Sequence, residues 1–472
     1  MMSMMTIGKG GGPTMSAAGC KAIVVYITVL TAACSANKGD DRVDVASGSG
    51  GADMGMTGNA AGGGGASGLA ATAGNRGTNG GAGTSAAGGS GIGGQLGIAG
   101  AAGSDGKPVC PGMARAGKPI AAAHGTPGIW LNVSPAQLNF TPSAYNNDNF
   151  GVQDVLVDPA RPSDLYAFVC HQGVWKSVDY GETWNKVNTG KNGDAIDSGK
   201  PWSSGIDSDR CRDPNTPPTL YTLNGNGQQG FWKSIDGGVS WSRTALPDQP
   251  SLQYDQDAYS IAVDPHDGQH LIMGFHEVAG LVESTDGGMT WTARTPGDSG
   301  VSVYANFVDT GDATTTRTTW LTIGQSGSMQ RTANGGSTWT KVESLQHAHG
   351  CSQIFQAGNG VIYAPGSGGT KGDGIYRSAD YGVTWSKVSA GSENGIVGTQ
   401  RTLYASYAWA NAGGLDPALQ TAPRDAGMTW SNVPTPSGMT NGWKGAAVTS
   451  DGTHQIIVGG HWNAGIWRYI EP

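Results

Sequence analysis

One eight-residue element recurs six times along this chain, and that recurrence limits the fold more than any other feature. The copies are Ser177-Val-Asp-Tyr-Gly-Glu-Thr-Trp184, Ser234-Ile-Asp-Gly-Gly-Val-Ser-Trp241, Ser284-Thr-Asp-Gly-Gly-Met-Thr-Trp291, Thr332-Ala-Asn-Gly-Gly-Ser-Thr-Trp339, Ser378-Ala-Asp-Tyr-Gly-Val-Thr-Trp385 and Pro423-Arg-Asp-Ala-Gly-Met-Thr-Trp430. They open 45 to 57 residues apart, a period that belongs to repeat architectures. The chemistry of each copy is that of a tight hairpin. An Asp carboxylate accepts backbone N–H groups of the turn, a Gly takes positive φ, and a Trp packs back between sheets. The turn uses up the hydrogen-bonding capacity of these positions, five Asp and one Asn, so they fold the chain rather than catalyse. Asn334 and Pro423 depart from the pattern and are expected to weaken their turns.

Around each copy lie short alternating runs, as in Val155-Leu-Val-Asp-Pro159, Leu165-Tyr-Ala-Phe-Val169, Gly173-Val-Trp-Lys-Ser177 and Trp184-Asn-Lys-Val187. Four strands per repeat make one propeller blade. After the sixth copy come three more strands, Gly445–Val448, Gln455–Val458 and Gly465–Tyr469, and no seventh box. Gly128-Ile-Trp-Leu-Asn-Val133 reads as a fourth strand without a blade of its own. Pairing it with the last three predicts an all-β, seven-bladed β-propeller closed by its N-terminal strand, which leaves no open sheet edge.

The element is identified as the Asp-box (BNR) repeat, and the resemblance covers the chain from about Gly128 to Pro472. The wording Val-Asp-Pro, Leu-Tyr-Ala and Gly-Val-Trp-Lys-Ser is most similar to xyloglucanase-type glycoside hydrolases and sortilin-like propellers. The hydrolase resemblance implies cleavage of a β-glucan by two aspartates, one acid and one base. Two departures qualify it. Where that family carries an aspartate in the first blade, this chain reads Tyr166-Ala-Phe-Val-Cys-His-Gln-Gly173, with His171 at or beside the acidic position. Those enzymes also pair two propellers, and this chain carries one. An exo-sialidase would require three converging arginines, and the expected mouth is arginine-poor.

In a propeller the loops joining second to third strands, and the segments entering the inner strands, meet at one mouth of the central channel. On that face the sequence places Asp148, His171, Trp202, Tyr254, Asp257, Tyr259, His276, Tyr304, His347, His349, Trp409, Trp443, His461 and Trp462. Rings that stack on sugar C–H faces, beside His and carboxylate groups, are what glycan recognition uses. Asp148 and Asp257 form the candidate hydrolase pair, flanked by His171 and His276. Trp202, Tyr254, Tyr259, Trp409, Trp443, His461 and Trp462 are the candidate sugar-binding residues. Three readings stand: a glycoside hydrolase, a polysaccharide lyase in which His171, His276, Tyr254 and Tyr259 move protons, and a propeller that binds glycan or protein without catalysis. In the lyase reading Lys191, Lys200 and Lys444 are the available cations for a uronate.

Composition settles the remainder of the chain. Residues 1–34 carry Lys21, the apolar run Ala22-Ile-Val-Val-Tyr-Ile-Thr-Val-Leu30 and Thr31-Ala-Ala-Cys34. This is the shape of a signal peptide ending in a lipobox-like site, so lipidation of Cys34 and export to a bacterial cell envelope or surface are expected. Met1 and Met15 both stand as starts. Residues 35–106, within which Gly, Ala, Ser, Thr and Asn crowd, lack the apolar surface to offset ordering and are expected to be a disordered tether. The propeller occupies 107–472. A net charge of −8 and the lack of a basic stripe argue against nucleic acid. Cys110, Cys170, Cys211 and Cys351 match no zinc spacing, leaving disulfides or buried thiols. Neither a cofactor nor a metal is expected, and a monomer bound to polysaccharide is.

Overall fold

The computed structural model describes residues 125–472 apart from 226–229, 245, 247–257, 277, 299, 344, 346–353, 367–373, 391–394, 409–418 and 426. Seven four-stranded antiparallel sheets follow one another along the chain. Their inner strands are Val152–Asp158, Lys200–Ile206, Ala258–Asp264, Tyr304–Phe307, Phe355–Gly358, Gly395–Gly398 and Trp443–Ser450. The seventh blade is completed from the other end of the domain. Trp130, Leu131 and Asn132 pair antiparallel with Tyr469, Arg468 and Trp467, and the Trp130 ring stacks on Tyr469 at 5.0 Å and on Trp443 at 5.9 Å.

The repeated turn has the geometry its residues dictate. Asp179 Oδ1 accepts the N–H groups of Glu182 and Thr183 at 3.1 and 2.9 Å, and Oδ2 accepts the Thr183 hydroxyl at 2.5 Å. Ser177 Oγ accepts the Gly181 N–H at 2.8 Å, and Trp184 donates its indole N–H to Gly181 O at 3.2 Å. Each box tryptophan packs against the preceding blade: Trp184 among Val458 and Ile466, Trp241 with Phe168, Trp291 with Tyr221 and Phe231. The glycines make that approach possible. Gly288 has φ of +87°, and a Cβ there would sit 2.2 Å from Phe231 of the neighbouring blade.

The two variant copies behave differently. Asn334 keeps the turn: its Oδ1 accepts the Thr332 hydroxyl and the Thr338 N–H, both at 2.9 Å, and its amide donates to Thr338 Oγ1. The amide mimics the carboxylate in geometry, so the turn's hydrogen bonds are kept. Pro423 has no hydroxyl to offer, and the buried Trp430 indole N–H has no acceptor among the described residues. Arg424 instead spans two blades, donating to Thr399 O and Ala357 O.

Side chains also bolt the inner strands together. Asp154 Oδ2 accepts Ser204 N–H at 2.7 Å, and Ser260 Oγ donates to Val303 O at 2.7 Å while accepting Ala305 N–H at 3.2 Å. Cys170 is a buried free thiol, and burial, its main influence, pushes it up to about 12. Cys211 is disulfide-bonded. Cys34, Cys110 and Cys351 lie outside the described residues, as do the leader and the tether. Among the described residues no helix is long and apolar enough to cross a membrane.

Candidate functional site

The site is built where the chain enters its inner strands. Four of these strands carry a bulge at the same place, between Val152 and Asp154, Pro201 and Ser203, Ala258 and Ser260, and Trp443 and Gly445. The extra residue at each bulge leaves the ladder and is re-aimed, as bulges commonly do beside functional sites. Those residues are Gln153, Trp202, Tyr259 and Lys444. They meet at one mouth of the channel. Gln153 Oε1 accepts from Lys444 Nζ at 3.0 Å, and Lys444 also donates to Trp202 O and lies 5.6 Å from the Trp202 ring centre. Trp202 packs on Tyr259 at 5.9 Å, which packs on Tyr304 at 5.2 Å.

Around that ring lies an aromatic cluster. Phe150 contacts Trp202 at 5.5 Å and Trp462 at 5.0 Å, and His276 stacks on Tyr259 at 4.8 Å beside Trp202 at 5.8 Å. Lys200 places its ammonium 4.7 Å from the Phe150 ring and 5.2 Å from Trp202.

Asp148 stands at the rim. Its Oδ1 meets Lys200 Nζ at 2.5 Å, and its Oδ2 meets His171 Nε2 at 3.2 Å. Burial pushes the Asp148 carboxyl up, but the hydrogen bonds and charges of His171 and Lys200 outweigh it and hold the group below the usual carboxylate range. Asp148 therefore offers an ionised carboxylate, fit for a base or nucleophile and unfit for an acid. His171 Nδ1 lies 3.1 Å from Ser198 O, so each ring nitrogen has an oxygen neighbour. That geometry makes His171 a clamp on Asp148 rather than a free base.

The segment that carries Asp148 is wound against its preference. Tyr145, Asn146 and Asn147 have φ of 55°, 62° and 64°, a left-handed turn that costs about 1–2 kcal/mol for a side chain such as tyrosine. It is held by Asn149, which donates to Asn139 O and Thr141 O, and by the Tyr145 ring stacked on His171 at 5.1 Å. Strain of this kind, over-determined by its surroundings, marks a place where position matters.

Asp148, His171, Trp202, Tyr259, His276 and Trp462 thus share one mouth. Two expected sugar contacts do not. Trp443 and His461 are each 0% exposed. Trp443 donates its indole N–H to Gly395 O of the sixth blade, and His461 lies against it with Nδ1 2.9 Å from Asn441 O. Burial holds the His461 imidazole down at about 4, so it is neutral. The physical reason is the bulge, which turns Trp443 inward and gives the channel position to Lys444. Tyr254, Asp257, His347, His349 and Trp409 lie outside the described residues, so the Asp148–Asp257 pair has no separation to report. Among the described residues no three His, Cys, Asp or Glu side chains converge to hold a metal ion. Phe150 and Gln153 were not read as site residues from sequence, and the signal for both is weak, each being a single residue at the entrance to a strand.

No family model matches the chain. It is similar to xyloglucanases. A 220-residue stretch covering 40% of the chain is 28% identical to a xyloglucanase of a Paenibacillus species, and 107 residues covering 20% are 32% identical to one of Acetivibrio thermocellus. The matched segments span 20% and 12% of those relatives. Among solved structures, the xyloglucanase of Xanthomonas campestris shares the fold with a TM-score of 0.51 and 18% identity, over 72% of this chain and 53% of that one.

Proposed function

We propose that this protein is a carbohydrate-active propeller that cleaves a polysaccharide by hydrolysis, with Asp148 as general base and Asp257 as general acid. The observation that carries the reading is Asp148 itself, an anchored and ionised carboxylate at the rim of a cluster of rings. Trp202 and Trp462, each 8% exposed, flank Phe150 in that cluster, and His276 borders it beside the fully buried Tyr259. The sequence similarity to xyloglucanases supports a glycan substrate. Inverting hydrolysis needs a base that stays charged and an acid that stays protonated on opposite sides of the bond, and Asp148 meets the first requirement.

We assign the rest of the chain to delivery. Lipidation at Cys34 would anchor an exported protein at the cell envelope, and residues 35–106 would hold a monomeric propeller away from the surface.

The test follows reducing ends and the absorbance of unsaturated products together, on a panel of neutral and uronic polysaccharides. Reducing ends without unsaturation support hydrolysis. Unsaturation assigns the mouth to a lyase and shifts attention to His276 and Tyr259. Glycan retention with neither product makes the protein a binding propeller.

A further inference from the structure

Lys444 is an ammonium in unusual company. It is 4% exposed, and its acceptors are Gln153 Oε1 and Trp202 O, both uncharged. Among the described residues no carboxylate lies within ion-pair distance of it. A buried charge is ordinarily paired with an opposite one, and an ammonium has three protons to donate. The neighbouring Trp202 is 8% exposed, and its indole N–H is buried with no acceptor among the described residues. Lys200, also near the Trp202 ring, is committed to Asp148. Two donor groups from two blades, one of them cationic, thus lie together at the channel mouth with hydrogen-bonding capacity that the described residues leave unmet.

We infer that the mouth takes an acidic glycan, with a uronate carboxylate seated on the Lys444 ammonium and the Trp202 indole N–H. The inference rests on the proposed reading of this mouth as a polysaccharide site and names the substrate class. A neutral sugar hydroxyl would accept from the same donors but would leave the ammonium without a counter-charge. A carboxylate satisfies both donors and that charge at once, and a charge-assisted bond of this kind is about twice as strong as a neutral one. The aromatic cluster beside the pair supplies the stacking surface that a free anion would not use.

The experiment is a calorimetric titration of the full chain with oligogalacturonate, with the same oligosaccharide as its methyl ester, with a xyloglucan oligosaccharide, and with free galacturonate and inorganic phosphate. The acid form is expected to bind about tenfold or more tightly than its ester. Lys444→Met is expected to remove that preference by weakening the acid form much more than the ester. Lys444→Arg is expected to retain most of it, and Trp202→Phe, which deletes the N–H and keeps a ring, to lose part. The comparison of acid with ester in the unaltered protein decides the matter even where a variant fails to fold. Equal affinity for acid and ester overturns the acidic seat and leaves the glycan reading standing. Binding of no oligosaccharide overturns both. Phosphate or free galacturonate bound as tightly as the oligosaccharide overturns the inference in favour of a simple anion site.

Discussion

The ammonium of Lys200 lies 2.5 Å from Oδ1 of Asp148 and 5.2 Å from the centre of the Trp202 ring, so one side chain ties the candidate base to the candidate sugar platform. Lys200→Met breaks that tie. With the ammonium gone, burial acts on Asp148 with only His171 to oppose it, so its carboxyl rises. The acidic limb of a kcat/KM profile is expected to move to higher pH, with activity near neutrality falling less than activity near pH 4. An unmoved limb would separate Asp148 from the titration that controls turnover.

His270 provides a pH-dependent brace far from the site chemistry. It is buried between Asp264 and Glu283, with Nδ1 and Nε2 at 2.8 and 2.9 Å from their oxygens. Burial alone would lower the imidazole, but the two carboxylates outweigh it and raise it above 6.5, while Glu283 is held below its ordinary value against its own burial by His270 and Arg294. A raised histidine contributes stability that is complete below 6.5 and is lost as pH climbs through its folded value. The lowered Glu283 contributes above about 4.5 and fades as pH falls through its folded value. Denaturant midpoints are expected to decline from pH 5.5 to 8.5 more steeply in the wild type than in His270→Gln. Parallel declines would remove the brace from the account.

The repeated turn predicts stability effects without catalytic ones. The Asp286 carboxyl, despite a small opposing effect of burial, is held at about 2 by Thr290, Ser284 and turn N–H groups. Its hydrogen bonds are solvent-exposed and correspondingly discounted, so Asp286→Ala is expected to cost about 1 kcal/mol, read as a lowered Tm with unchanged kcat. Asp425→Ala, in the turn that already lacks its serine, is expected to cost less.

Closure of the ring depends on Trp130. Trp130→Ala removes a ring stacked on both Tyr469 and Trp443, and a loss of about 2–3 kcal/mol is expected, below the ~3–5 kcal/mol of a fully buried tryptophan. Limited proteolysis would then cut near the N-terminal strand first. Cleavage elsewhere would show that the seam is not the weak point.

The hairpin chemistry of six boxes and the orphan strand at Trp130 made the blades and their closure legible in the sequence, because each rests on local residue chemistry or on counting strands. The mouth was legible only in part. Alternation along a strand assumes an unbroken pleat, and a bulge shifts that alternation by one residue without a sequence mark of its own. That shift placed Trp443 inside the seventh blade where a channel residue was expected, and brought Lys444 to the channel. Trp202 and Tyr259 are themselves the bulged residues of their strands. The clamp of Lys200 and His171 on Asp148 joins residues up to 52 positions apart across two blades, and the left-handed turn at Tyr145 has no signature beyond the Asn-Asn pair.

The most direct measurement is the release of reducing ends from the responsive polysaccharide by the full chain and by its Asp148→Asn, Asp257→Asn double variant, with matched thermal unfolding of both. The account predicts turnover by the unaltered protein and a loss of about a hundredfold or more in the double variant at unchanged fold. Turnover that survives the removal of both carboxylates would contradict it.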